Sequence, residues 1–321
     1  MPTREEIKAL VERMPELDVP PPPPPPEPKP AETAPAADGT KPVDPPRPAR
    51  PRVAGHAQAK GKLTGPAWPD AEKTYDAILA GGAESVRAVI DLVTEKDVGP
   101  AYKPRYVLHN LAVYACRPGK EKERAAVTQA IVPELTGGRP KAIRGFLVRT
   151  LQAAGDPSTA GALAPLLTDE ELADAAALAL VALGGNDAAK LLRDALPQAN
   201  GRAKLAIVQA LGALRDTASV DALVRVAANP PDETTHVTAV WSLARTGEAG
   251  AIDPVLKATE ASGPWPRAQA VKAAFVLAES LAAAGKKAEA KRVYQHLHET
   301  RSAPSEAHIR AAAATGLASV K

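Results

Sequence analysis

The chain predicts an all-α fold, an α-solenoid of antiparallel helical pairs wound into a superhelix behind a disordered, proline-rich amino-terminal arm. Three observations carry that reading. Acidic turn residues recur about once per thirty positions: Asp156, Asp187, Asp216 and Glu248 are separated by 31, 29 and 32 residues, each behind an Ala/Leu-rich run such as LVRTLQAAGD or IVQALGALRD. A fixed period of that size marks units that bury an apolar face only against their neighbours. Aromatic residues make up only 3% of the 321 residues, so the core must come from small side chains on close-packed helices, with few β-branched or aromatic runs to build strands. Finally, apolar residues keep helical spacing almost without a break from Trp68 onward.

Taken in order, residues 1–18 predict a short amphipathic helix or a disordered start, with Ile7, Leu10, Val11 and Met14 at helical spacing. Residues 19–65 form the linker: seven consecutive prolines run from Pro20 to Pro26, and eight more lie between Pro28 and Pro51. Proline at that density excludes helix and ladder and favours an extended, semi-rigid chain. The stretch RPARPRVAGHAQAKGK carries Arg47, Arg50, Arg52, Lys60 and Lys62 with no acid between them. It is read as a solubilising spacer, with weak nucleic-acid contact as the sharper alternative; no aromatic residue is interleaved to stack on bases. The proline run could also dock on a partner's aromatic-lined groove.

Residues 66–140 read as the irregular helical start of the solenoid, with helices at about 70–80, 83–96, 103–116 and 120–135. Residues 141–261 are the regular repeats, with helices at about 140–153, 157–167, 170–183, 187–196, 201–214, 217–228, 234–246 and 249–260. Residues 262–321 supply the last helices and the cap, at about 266–284, 287–299 and 304–318. The punctuation has a mechanism. In Gly155-Asp156-Pro157 the glycine suits a left-handed helix end, the aspartate an amino-terminal cap and the proline a first turn. Gly184-Gly185-Asn186-Asp187 repeats the device, and Asn229-Pro230-Pro231-Asp232 and Gly263-Pro264-Trp265-Pro266 are longer breaks. Ala176, Ala206 and Ala239 should sit where successive helices approach closely.

The segments GRAKLAIVQALGALRDTASVDALVRVA and Glu171 to Leu192 resemble the short HEAT-like repeats first described in phycobilisome lyases. The last pair, LAAAGKKAEAKRVYQHL, is also similar to a tetratricopeptide helix turn. The resemblance implies fold; it is nearly silent on chemistry, because such repeats serve scaffolds, adaptors, lyases and hydroxylases alike. A di-iron hydroxylase of this kind needs several His-Glu dipeptides, and the chain has one, His298-Glu299. A HEAT-like DNA glycosylase needs acidic and aromatic groups together, whereas Trp241 has Arg245 one turn on. A phycobilin-lyase-like enzyme or chaperone is the alternative function, although Trp241, Tyr294 and Phe275 are scattered.

Other chemistry is thinly represented. The formal net charge is +3, which argues against a polyanion as partner. Cys116 is the only cysteine, which excludes an intramolecular disulfide and a Cys-based zinc site, and it is expected to be a small buried hydrophobe. His296 and His298, two apart, fall on different helix faces and predict no metal. Tyr106, Asn110 and Tyr114 share a face beside His109 and are read as an aromatic plug capping the array. No catalytic residue and no cofactor are expected. No apolar run is long enough to span a membrane, and the charged amino terminus lacks an apolar leader, which predicts a cytoplasmic protein, or a periplasmic one if the start is misassigned. What remains is surface: the second helix of each pair should line the concave side and bind a protein or peptide, with Lys190, Arg193, Arg225 and Lys257 as the partner-binding residues of a non-catalytic scaffold.

Overall fold

The computed structural model describes residues 2–17, 63–64 and 68–320, so the expectations for the proline-rich arm and its basic tract lie outside the described residues. Helix α1 (Arg4–Glu12) opens the chain behind a complete capping box, in which Thr3 accepts from the Glu6 amide and Glu6 accepts from that of Thr3. It is followed by α2 (Trp68–Leu79), α3 (Gly82–Asp91), α4 (Tyr102–Tyr114) and α5 (Glu121–Ile131). The repeats then comprise α6 (Lys141–Ala154), a 3₁₀ segment (Pro157–Leu166), α7 (Ala173–Leu183), α8 (Gly185–Ala195), α9 (Gly201–Ala213), α10 (Val220–Ala228), α11 (Glu233–Thr246) and α12 (Ile252–Ala258). The last helices are α13 (Pro264–Ala283), α14 (Lys287–Thr300) and α15 (Ala307–Ser319).

The helices pack consecutively in two layers. First helices α6, α7, α9, α11 and α13 stack side by side, and the 3₁₀ segment, α8, α10, α12 and α14 cover them. This is the expected solenoid. Ala176, Ala206 and Ala239 are all buried in the first-helix layer, where a missing side chain lets neighbouring helices close up.

Local chemistry set most of the boundaries. Asp232 accepts from the Thr235 amide at 2.7 Å and opens α11, and these bonds hold its carboxyl below the usual carboxylate range. Gly247 ends the same helix in the left-handed conformation, with φ of 66°. Pro264 sits in the first turn of α13, so that break belongs to the helix it starts.

Three expectations need correction. The 157–167 element is a 3₁₀ segment and not an α-helix, because Pro165 inside it can donate no backbone hydrogen bond. Gly155 has φ of −63° and is not left-handed; it is glycine because a Cβ would lie 2.6 Å from the Leu151 carbonyl oxygen and 3.0 Å from Leu183. Cys116 is exposed, its sulfur 3.3 Å from the Ala112 and Ala153 carbonyls.

Helix α1 belongs to the body. Ile7, Val11 and Met14 are buried against α3 and α4, and the residues after the helix join those before α2 in a two-residue antiparallel pairing, Glu16 with Thr64 and Leu17 with Leu63. The helix thus shields the apolar end of the array, as a terminal element must. Tyr75 and Tyr114 pack with ring centroids 5.6 Å apart and planes tilted by 46°, and Tyr114 donates to Asp76 at 2.8 Å. Ile7→Ala is expected to lower stability by about 2–4 kcal/mol, the usual cost of truncating a buried isoleucine. Urea titration checks it, and an unchanged midpoint would mean that α1 does not dock.

Candidate functional site

Three of the four turn acids that revealed the period are spent on the scaffold; the fourth, Asp187, lies exposed in the first turn of α8 and caps nothing. Asp156 caps the 3₁₀ segment by accepting from the Ser158 amide at 2.8 Å. Asp216 makes no cap; it pairs with Arg193 at 2.5 Å and is nearly buried. Glu248 binds Lys286 of the following pair at 2.7 Å. One turn acid therefore ties back to the preceding pair and another reaches forward to the next.

These contacts sort the predicted partner-binding residues. Arg193 is held by Asp216, and Lys190 by Asp194 one helical turn away at 2.6 Å. Arg225 is exposed on α10. Lys257 is exposed on α12 and lines two adjoining cavities. The four are not gathered into one patch; among them only Lys257 stands where the surface is concave enough to hold a ligand.

The larger cavity, about 910 Å³, opens between the turn joining α10 to α11 and the turn joining α12 to α13. Its walls are small or rigid: Ala227 and Ala228 end α10, Ala258 and Ala261 end the α12 side, and Pro230 and Pro266 stand at the rims. Small residues at both helix ends leave space that bulkier ones would fill, which makes a hollow rather than a packed turn. His236 ties the floor to α10, its Nδ1 donating to the Ala227 carbonyl at 2.9 Å.

The smaller cavity, about 450 Å³, lies between α12 and α14. Asp253 and Lys257, at i and i+4 on α12, and Glu260 in the turn that follows it are shared by both cavities and form a polar crest between them. Arg292 pairs with Asp253 across the smaller cavity. Half-buried His296 stands over Thr259, and its pKa is pulled down by burial and then by nearby Arg301, so the imidazole is neutral at pH 7. Together the two cavities present four carboxylates, Glu233, Asp253, Glu260 and Glu299, against the cations Lys257 and Arg292. Around these two cavities four carboxylates face two cations, so the local balance is acidic.

The remaining candidates are structural. Trp241 is half-buried between α11 and α13 and donates to Gln269 at 3.2 Å. Among the described residues no His, Cys, Asp or Glu group is arranged to hold a metal ion, and no helix is long and apolar enough to cross a membrane. The paired cavities were not legible in the sequence: their lining comes from five helices, and the only local signal was the stretched Pro-rich breaks at Asn229–Asp232 and Gly263–Pro266.

Residues 195–275, which include α9 to α12 and most of the larger cavity, match the family model of HEAT repeats. No curated protein sequence matches the chain. Among solved structures, the complex of CpcE and CpcF of phycocyanin lyase from Nostoc sp. PCC7120 is 20% identical over 74% of this chain and 94% of that one, with a TM-score of 0.39. The archaeal HEAT-like repeats protein from Thermococcus onnurineus NA1 is 14% identical over 80% of this chain and 99% of that one, with a TM-score of 0.34. An engineered protein is 19% identical over 78% of this chain and 71% of that one, with a TM-score of 0.42.

Proposed function

The chain carries HEAT repeats, and from that premise we propose that it is a non-catalytic scaffold whose second-helix face binds a protein or peptide segment. One observation carries the reading: the two cavities adjoin along α12, sharing Asp253, Lys257 and Glu260, and together make a furrow across neighbouring repeats, open to solvent, with apolar walls in the larger cavity and charged ones in the smaller. A furrow that runs across repeats suits a chain-like ligand, which gains contacts from each repeat it crosses. Lys257 lies at its centre, Arg225 stands on α10 beside it, and Lys190 and Arg193 continue the same layer on α8.

Support from the residues is consistent. The walls offer aliphatic contact without aromatic side chains, and the polar groups are exposed carboxylates and amines that can orient a backbone. The protein works in the cytoplasm in this reading, as one component of a larger assembly.

Position-specific cross-linking tests it. A photo-reactive benzoyl-phenylalanine in place of exposed Ala228, at the furrow wall, should give a stoichiometric protein adduct in native lysate. The same group in place of Leu178, which is 44% exposed on first helix α7, should not. Equal adducts from both positions, or none from 228, would sink the assignment of the partner to this face.

A further inference from the structure

The proposal that follows rests on the furrow being a peptide site and concerns the chemistry of its occupant. We infer that the furrow selects an extended, cationic peptide segment, one that seats an aliphatic or proline residue in the larger cavity and sets lysine or arginine over the crest and the smaller cavity.

Charge is the first reason. Glu233, Glu260 and Glu299 are all exposed, and none holds an ion pair among the described residues. Asp253 is already matched by Arg292, which leaves three carboxylates facing Lys257 alone. Arg301 lies close to Glu260 but is buried, with its guanidinium bonded to Thr259, so it offers no surface cation. His296 adds no positive charge at neutral pH. A ligand bearing carboxylates would meet uncompensated like charge at the rim, whereas ammonium or guanidinium groups find three acceptors.

Spacing is the second. The two cavities flank a single helix, and neighbouring helix axes lie about 8–10 Å apart. A polyproline II chain, at about 3.1 Å per residue and about three residues per turn, covers that span in about three residues and returns every third side chain to the same face. Every third side chain therefore faces a cavity, and the residues between them lie over the crest of Asp253, Lys257 and Glu260. A helical ligand advances only about 1.5 Å per residue and would need about six residues to bridge the same distance, with its carbonyls and amides already satisfied and unable to use the crest.

The shape of the walls is the third. Ala227, Ala228, Ala258 and Ala261 line the larger cavity with methyl groups, and Pro266 closes one rim. Such a pocket accepts a compact aliphatic or ring side chain and offers little to a polar one.

The full chain should bind a fluorescein-labelled Lys-Pro-Leu repeat peptide at least about tenfold more tightly than its Glu-Pro-Leu counterpart, read by fluorescence anisotropy. Added salt should weaken the lysine peptide selectively. In the triple variant E233Q/E260Q/E299Q, at exposed positions, the preference should collapse to about twofold or less while far-UV circular dichroism stays unchanged. If the glutamate peptide binds equally or better, and Ala228→Trp blocks it, the furrow is a peptide site and the cationic assignment is overturned. If neither peptide binds, the furrow reading falls together with it. Retention of the lysine preference by the triple variant would move the selective charges elsewhere and also overturn the proposal.

Discussion

Gly212→Ala lowers stability by about 3 kcal/mol, the upper end of the cost of overpacking a core. A Cβ at Gly212 would lie 2.4 Å from the Ser242 Oγ and 2.7 Å from its Cα. The hydroxyl could rotate away, but the Cα is backbone of α11 and can retreat only if the whole helix moves. Its position is pinned from the other side, since the Ser242 hydroxyl donates to the Val208 carbonyl of α9 at 2.8 Å in a fully buried contact. Parting α9 from α11 would also loosen Ala206 and Ala239, which are buried in the same layer. Gly161→Ala is the matched control: a Cβ there has nothing within 4 Å and should change stability by less than about 0.5 kcal/mol. Urea unfolding followed by circular dichroism reads both, with amide exchange of α9 and α11 to show that the loss is local, because repeat arrays need not unfold in one step. A neutral Gly212→Ala would mean that the two helices do not cross this closely.

Arg301→Met is expected to cost about 3 kcal/mol, and Arg301→Lys to recover little of it. Arg301 follows α14, is 2% exposed, and reaches across to the end of α12, where it donates to the Thr259 carbonyl at 2.9 Å and to the Thr259 hydroxyl at 3.0 Å. Burial pulls its pKa down, and neighbouring Arg267 adds to the effect. The guanidinium keeps its charge regardless, so its hydrogen bonds and the Glu306 carboxylate 3.8 Å away must offset the desolvation. Glu306 holds Arg267 at 2.8 Å and would not be orphaned by the substitution, which keeps the expected loss at the lower end for a broken buried charge contact. The uncompensated groups are those of Thr259. Lysine can supply one donor direction but not the fork that serves both oxygens of one residue. Thermal melts of the two variants check this, and a lysine variant as stable as the native chain would show that charge alone mattered.

Both residues show why some features of the chain were readable and others were not. Gly212 sits inside a helical run, and sequence gives no hint that Ser242 lies against it. Arg301 lies between two helices in the sequence, yet it is among the most buried charged residues described. The acids at Asp156, Asp216 and Glu248 were legible as turn markers, but only the first acts as a side-chain cap; the other two pair with Arg193 and Lys286 from different repeats. Lys257 was named among the candidate partner residues and lines the furrow; Glu233, Glu260 and Glu299 were not named, because a charge's meaning depends on which neighbours remain unpaired.

The order and type of the helices, their near-thirty-residue period and most of their ends follow from the sequence by itself. Helical spacing and the Asp156 cap act through hydrogen bonds and sterics within a few residues, and such forces are written locally. Only the tertiary structure decided that Ile7, Val11 and Met14 close the first end of the array, that Gly212 sets the α9–α11 distance, and that carboxylates outnumber cations around the furrow. Each of these sums contributions from residues tens of positions apart, and burial, close approach and surface charge take values only once the helices are stacked.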